Sequence, residues 1–332
     1  MLHSATPVAI EVTRGGTVES THRVMAAIVD VSGRIVAQAG NVELAIFPRS
    51  AIKMFQAMQL IETGAADAFS LTSEELALAC ASHGGEEMHV DRVRAWLARL
   101  GLDASRLGCG AHRPLNGSAA WRLVRAGIEP DRAHNNCSGK HAGMLTVARH
   151  MGEPLDNYLD VDHPVQQRVL STLNRFTGDA VLDGPGTDGC GVPTWRIPLR
   201  SVALAAARFA VEDGDAARSL RDAMIRHPEL VAGTDRCCTA VMRAAPHVIA
   251  KTGAEGVYLA AVPERGIGIV LKAEDGAKRA AETALLDILA RLDLVDDTAR
   301  DALSPFIHPV LRNTIGHEVG EIRVRDGWLG LH

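Results

Sequence analysis

Strand-like sequence stands at both ends of this 332-residue chain and helical sequence fills its middle, a division that constrains the fold more than any other feature. Near the start, Val8-Ala9-Ile10-Glu11-Val12, the β-branched run from Thr17 to Asp30, and Arg34-Ile35-Val36-Ala37 are separated by Gly15-Gly16 and Ser32-Gly33. That is the pattern of an antiparallel meander over residues 8–38. Near the end, His247–Lys251, Gly256–Val262 and Gly266–Lys272 form three more short strands, and a helix follows over Ala277–Leu292. Between these ends, Thr72-Ser73-Glu74-Glu75 supplies a hydroxyl cap and first-turn acids to one helix. Further helices are predicted over Met88–Leu100, Ser118–Ala126, His141–His150, Pro164–Phe176, Val202–Val211 and Ala216–Arg226. The chain therefore predicts an α+β fold of three layers. One antiparallel sheet is assembled from residues 1–48 and 228–332 and backed by C-terminal helices, and a mostly helical subdomain, residues 49–227, is inserted. A cleft between two such lobes is the expected place for an active site.

Charge and hydropathy exclude several classes of partner. A net charge of −5 gives no case for nucleic acid or an anionic membrane surface. No apolar run reaches membrane-spanning length; the alanine-rich stretch from Val202 is broken by Arg208. The start, Met1 to Pro7, lacks a basic segment followed by an apolar one. Six cysteines without a dense, even spacing point to reduced thiols and a cytoplasmic setting.

The stretch Pro48-Arg49-Ser50-Ala51-Ile52-Lys53 carries the first chemical signal. Pro48 suits a helix start, and the apolar run up to Gly64 predicts a helix closed by a glycine cap. Ser50 and Lys53 then share one face of the first turn. A helix N-terminus disfavours an ammonium, and desolvation adds to this, so the lysine can become the neutral amine that takes a serine's proton. Only five of the 35 basic residues are lysines. A Ser-x-x-Lys match is then expected by chance only about 0.2 times in this chain. The plain alternative is a helix start with an exposed lysine.

Lys251-Thr252-Gly253 is the second signal: the lysine ends an apolar strand, and the glycine permits close approach of backbone. Ser-x-x-Lys at a helix start, Ser82 in a helical-lobe loop and Lys-Thr-Gly at a late strand end resemble, in order and placement, the serine β-lactamases and penicillin-binding proteins. The departure is Ser82-His83-Gly84, where those families carry Ser-x-Asn.

Longer motifs point elsewhere. Asn135-Asn136-Cys137-Ser138-Gly139-Lys140-His141-Ala142-Gly143-Met144 and Asp183-Gly184-Pro185-Gly186-Thr187-Asp188-Gly189-Cys190-Gly191 stand with Cys80-Ala81-Ser82-His83-Gly84-Gly85, Arg49 to Lys53 and Lys251 to Gly256. Together they resemble the asparaginase II family, the rhizobial-type L-asparaginases, over nearly the whole chain. The resemblance implies a fold like the serine β-lactamases and type A glutaminases, and hydrolysis of L-asparagine to L-aspartate and ammonia. It implies two serine–lysine pairs facing one cleft, Ser50 with Lys53 and Ser82 with a late lysine. That lysine is assigned to Lys251, with Lys272 as the alternative.

The resemblance further implies a zinc ion held by Cys137, Lys140 and Cys190, and a homodimer. Spacing alone favours His141 over Lys140, since imidazole is the commoner ligand and an amine must first lose its proton. For a zwitterionic substrate, Arg49 suits the α-carboxylate and Asp188 the α-ammonium; His83 and Gly253 complete the expected pocket. Cys109, Cys237 and Cys238 receive no role, and the run around Cys237-Cys238 is expected to be a loop. Two rival readings remain: another serine amidohydrolase, a glutaminase or β-lactam-recognising enzyme, and a catalytically dead, zinc-stabilised binding protein.

Overall fold

The computed structural model describes residues 5–331. Met1–Ser4, part of the amino-terminal stretch discussed above, and His332 lie outside the described residues. The strands are β1 (Val8–Arg14), β2 (Thr17–Asp30), β3 (Ile35–Ala39), β4 (Ala45–Ile46), β5 (Leu182–Thr187), β6 (Pro193–Pro198), β7 (Ile249–Thr252), β8 (Val257–Val262), β9 (Ile267–Ala273), β10 (Val310–Arg312), β11 (Glu318–Val324) and β12 (Gly330–Leu331). Helices α1 (Lys53–Ala57), α2 (Gln59–Glu62), α3 (Ala65–Ala68), α4 (Ser73–Ala79), α5 (Glu87–Arg99), α6 (Gly117–Ala126), α7 (Ser138–Met151) and α8 (Pro164–Thr177) follow the first strands. Then come α9 (Leu199–Val211), α10 (Asp215–Arg226), α11 (Pro228–Ala232), α12 (Cys237–Ala244), α13 (Lys278–Arg291) and α14 (Asp297–Ile307).

Both chain ends build one antiparallel sheet, in the order β10-β11-β1-β2-β9-β8-β7, with β3 on β2 and β12 on β3. The long β2 joins the halves: Thr17–Arg23 pairs β1, and Val24–Asp30 runs against β9, with Ala27 opposite Val270. Small residues let a helix lie directly on this sheet. A Cβ at Gly268 would fall 2.0 Å from Ala203 O and 2.4 Å from Ala207 N, so α9 crosses β9 at backbone contact. On the other face α13 buries Ala281, Leu285 and Ile288. Helix, sheet and helix form the three layers of an α+β fold.

The structure departs from the sequence reading at several places. The helix expected from Pro48 opens instead as a 3-10 turn, Arg49–Ile52, and α1 starts only at Lys53. Helix α7 begins three residues before His141, because Gly139 lets its first turn press against Leu78 O, only 2.3 Å from where a Cβ would sit. Cys237 and Cys238 open α12 rather than a loop, since their burial fixes a helical face that local propensity does not announce. The small sheet β4-β6-β5 and strands β10–β12 lacked a periodic signal; Gly184, Pro185 and Gly186 mask β5. No helix among the described residues is long and apolar enough to cross a membrane, and all six cysteines are free thiols.

Candidate active site

Three segments distant in sequence meet at one hydroxyl. The capping box of Thr72 and Glu75 starts α4, which ends at Ala79 and delivers Ser82 in the loop that follows. That loop is pinned by Ser82 N donating to Val231 O (2.9 Å) and His83 N donating to Asn136 O (3.1 Å). Lys53 from α1 and Lys251 from the end of β7 reach Ser82 Oγ at 3.1 and 2.8 Å. Lys53 Nζ also donates to Ala81 O and to Cys137 Sγ (3.1 Å), and Lys251 Nζ to Thr252 O (2.8 Å). Both lysines are buried. Lys272 lies elsewhere, donating to Glu255 O (2.8 Å) and Ala273 O.

Ser50 sits half-buried on the 3-10 turn, and its Oγ has no hydrogen-bond partner among the described residues. The residue before it, Arg49, holds φ at +53°, the left-handed region that a branched, bulky side chain avoids. The ion pair to Asp188 helps hold it there: Arg49 Nε and Nη2 approach Asp188 Oδ1 at 2.8 and 2.7 Å. Gly253 lies under the same turn. A Cβ there would stand 2.6 Å from Pro48 O and 3.3 Å from Ala51 N, so the glycine allows β7 to abut the serine turn.

Electrostatics separate the lysines. Burial, and then the Lys53 charge, push Lys251 down to about 7; Cys238 and Cys137 pull the other way without reversing it. Burial works against the Lys140 ammonium too, but the Cys190 and Cys137 sulfurs outweigh it and raise its value. Lys140 Nζ lies 2.9 Å from Cys190 Sγ. A hydrogen bond from Cys190 is the chief cause holding the Cys137 thiol well below its ordinary value, while Cys190 is raised as the proton's keeper. Burial disfavours the Asp188 carboxylate, yet Lys140 and Arg49 keep its value below normal.

Cys137, Lys140 and Cys190 therefore converge. Two sulfurs and an amine suit a soft, tetrahedral ion, provided the amine gives up its proton. Among the described residues no three His, Cys, Asp or Glu side chains gather for a metal, so a cation here depends on that lysine. His141 bonds Tyr158 Oη through Nδ1 (2.7 Å), and its buried Nε2 has no partner.

His83 supports the site from below. It is fully buried, its Nδ1 accepts from Gly85 N (3.1 Å), its Nε2 donates to Ser138 Oγ (2.9 Å), and its ring stacks on His89. Burial holds it well below its usual value, hence neutral. Sequence reasoning passed over His112, whose Nε2 accepts from Asn136 N (3.0 Å) beside Cys137. Nothing in its sequence surroundings distinguishes it from the other histidines.

Comparison with known proteins follows this geometry. Among solved structures, the protein Mglu in its native form is 16% identical, over 88% of this chain and 69% of its own, with a TM-score of 0.45. A β-lactamase from Mycobacterium bovis is 14% identical over 85% of this chain and 94% of its own (TM-score 0.41). A putative β-lactamase from Bacteroides dorei is 11% identical over 80% and 93% (TM-score 0.41). No curated protein sequence matches significantly. The profile of the L-asparaginase II family matches residues 10–324, and the chain belongs to that family.

Proposed function

We propose that this protein is an L-asparaginase that hydrolyses the side-chain amide of L-asparagine through an acyl-enzyme on Ser50. Family membership supports an amide hydrolase. The observation that carries the mechanism is Ser82 Oγ held between two buried lysines, one of them poised near neutrality.

Ser50, partly exposed beside the constrained Arg49, is the hydroxyl that substrate reaches. Its Oγ attacks the amide carbon while its proton passes to Lys53. Lys53 hands a proton to Ser82 Oγ, and Ser82 passes its own to neutral Lys251, so the net transfer runs from Ser50 to Lys251. Collapse of the tetrahedral intermediate breaks the C–N bond, and the relay returns the proton to the departing ammonia. Water then attacks the aspartyl ester by the same route. Asp188 uses Oδ1 for Arg49, leaving Oδ2 for an α-ammonium, and the free Nη1 edge of Arg49 faces the α-carboxylate. Cys137, Lys140 and Cys190 would hold a zinc ion, which when bound supplies a fixed positive charge beside the pocket. Six free thiols support a reducing, cytoplasmic setting.

The test is ammonia release from L-asparagine and L-glutamine by the wild type and by Ser50→Ala. Turnover of asparagine that drops at least a thousandfold in the variant, about 4 kcal/mol of barrier, supports the reading. A wild type that releases no ammonia from either amide overturns it. The geometry also favours a second assignment, with Ser82 as nucleophile, because its oxygen is the one both lysines touch. Mass mapping of a quenched acyl-enzyme to the peptide holding Ser50 or the one holding Ser82 decides between them.

A further inference from the structure

Helix α6 is built inside out. Of Gly117–Ala126 only Ala119 is buried, while Trp121 is 66%, Val124 53% and the nearby Leu115 and Ile128 53% exposed. The chain's other tryptophans, Trp96, Trp195 and Trp328, are at most 3% exposed. At 100° per residue, Gly117, Ala120, Trp121 and Val124 share the outward face, and Ile128 extends it. The helix is not loosely attached: Asn116 caps Ala119 N (2.9 Å), takes Gly84 O through its own N–H (3.0 Å) and reaches Thr234 Oγ1 (3.1 Å). A rigidly anchored helix with a continuous apolar face toward solvent is the mark of a covered surface.

Charges around the patch say what covers it. Arg122 and Arg125 flank the apolar face, and a neighbouring groove of about 280 Å³ is lined by Arg122, Leu123 and Ile128 together with Glu87 and Asp91 of α5. Among the described residues none of Arg122, Arg125, Glu87 or Asp91 has an ion-pair partner. One surface thus carries an apolar stripe with unpaired bases on one helix and unpaired acids on the next, which makes it complementary to itself. A two-fold contact between identical surfaces uses that property. The acids, and a net charge of −5, oppose an anionic membrane as the occupant.

We infer that the outward face of α6 is a two-fold contact between two copies of this chain, with Trp121 at its centre and Arg122 and Arg125 of each copy set over Glu87 and Asp91 of the other.

The test is sedimentation velocity of the full chain over roughly 1–100 µM, with tryptophan emission followed on dilution. A wild-type dimer, a red shift on dilution that Trp121→Phe removes, and monomeric Trp121→Glu and Val124→Asp with unchanged circular dichroism would support the contact. So would weakening by Arg125→Glu and recovery in Arg125→Glu/Asp91→Arg. A wild type that stays monomeric throughout overturns it, whatever else the patch binds. A dimer that survives both Trp121→Glu and Val124→Asp overturns the assignment of the face.

Discussion

Replacing Lys251 with methionine tests the proton relay where it is most exposed to failure. Methionine has a similar length and no charge, so the buried channel at the end of β7 stays filled. In the wild type, burial and the Lys53 charge bring Lys251 to about 7. The amine is then roughly one-tenth neutral at pH 6 and nine-tenths neutral at pH 8, so kcat at saturating asparagine should climb roughly tenfold across that interval. Removing the terminal base should lower kcat by about 10²–10⁴-fold and leave a flat profile over the same range.

Stability provides an independent reading of the same group. The folded value lies below the unfolded lysine value of about 10.4, so the unfolded chain binds more protons between pH 7 and that limit. Wild-type stability should therefore rise with pH in this window, by at most about 1.4 kcal/mol per unit, and carry the full burden of a buried ammonium below pH 7. Groups other than Lys251 cancel in the difference between the two proteins, so the methionine variant should gain on the wild type as pH falls from 9 toward 7. Ammonia-release kinetics and thermal melts over this range measure both effects. A variant that keeps kcat within tenfold of wild type, with the rise near pH 7 intact, would refute Lys251 as the base.

Two other perturbations follow from distances in the site. Gly253→Ala places a methyl 2.6 Å from Pro48 O, so the Ser50 turn or β7 must move; kcat should fall by more than tenfold with a loss of about 1–3 kcal/mol of stability. Gly110→Ala, where a Cβ meets nothing within 4 Å, is the control and should leave kcat and melting temperature unchanged. For the metal, protein purified without chelator should carry about one zinc per chain by elemental analysis. Cys137→Ser and Cys190→Ser should each lose it and melt at lower temperature. Full zinc content in either variant would count against this ligand set.

What was legible in the sequence was whatever local chemistry announces. Strands β1–β3 and β7–β9 are β-branched runs closed by glycine, and both halves of the sheet appear in the chain as such. Lysine scarcity was informative for a physical reason: Lys53, Lys140 and Lys251, three of the five, are buried, and a chain that otherwise uses arginine places titratable amines inside only where polar partners hold them. What was not legible depends on contact between distant segments. Nothing local to Arg49 demands a positive φ; Asp188, 139 residues away, helps hold it. Nothing local to Lys53 says that it turns to Ser82 and Cys137 rather than to Ser50. The outward face of α6 has the same apolar composition as an inward one, and only the packed structure tells which way Trp121 points.

The partners of the two lysines also fix the direction in which protons move. Lys53 faces three acceptors, Ala81 O, Ser82 Oγ and Cys137 Sγ, the number an ammonium needs. Lys251 faces only two oxygens, Ser82 Oγ and Thr252 O. An ammonium there would keep one proton without a partner inside the protein, close to a second positive charge. A neutral amine has no such deficit: it donates to Thr252 O and takes the Ser82 hydroxyl proton into its lone pair. Ser82 must then accept from Lys53 and donate to Lys251, so its single proton already points toward the vacancy. Reversing the two roles would leave Lys53 with an acceptor unserved and Lys251 with a donor unmet, both in a site too dry to compensate. The asymmetry of the relay thus rests on a count of carbonyl and sulfur acceptors supplied by α1, the Ser82 loop and β7. Cys137→Ala removes one acceptor from Lys53 alone and should narrow the difference between the two amines.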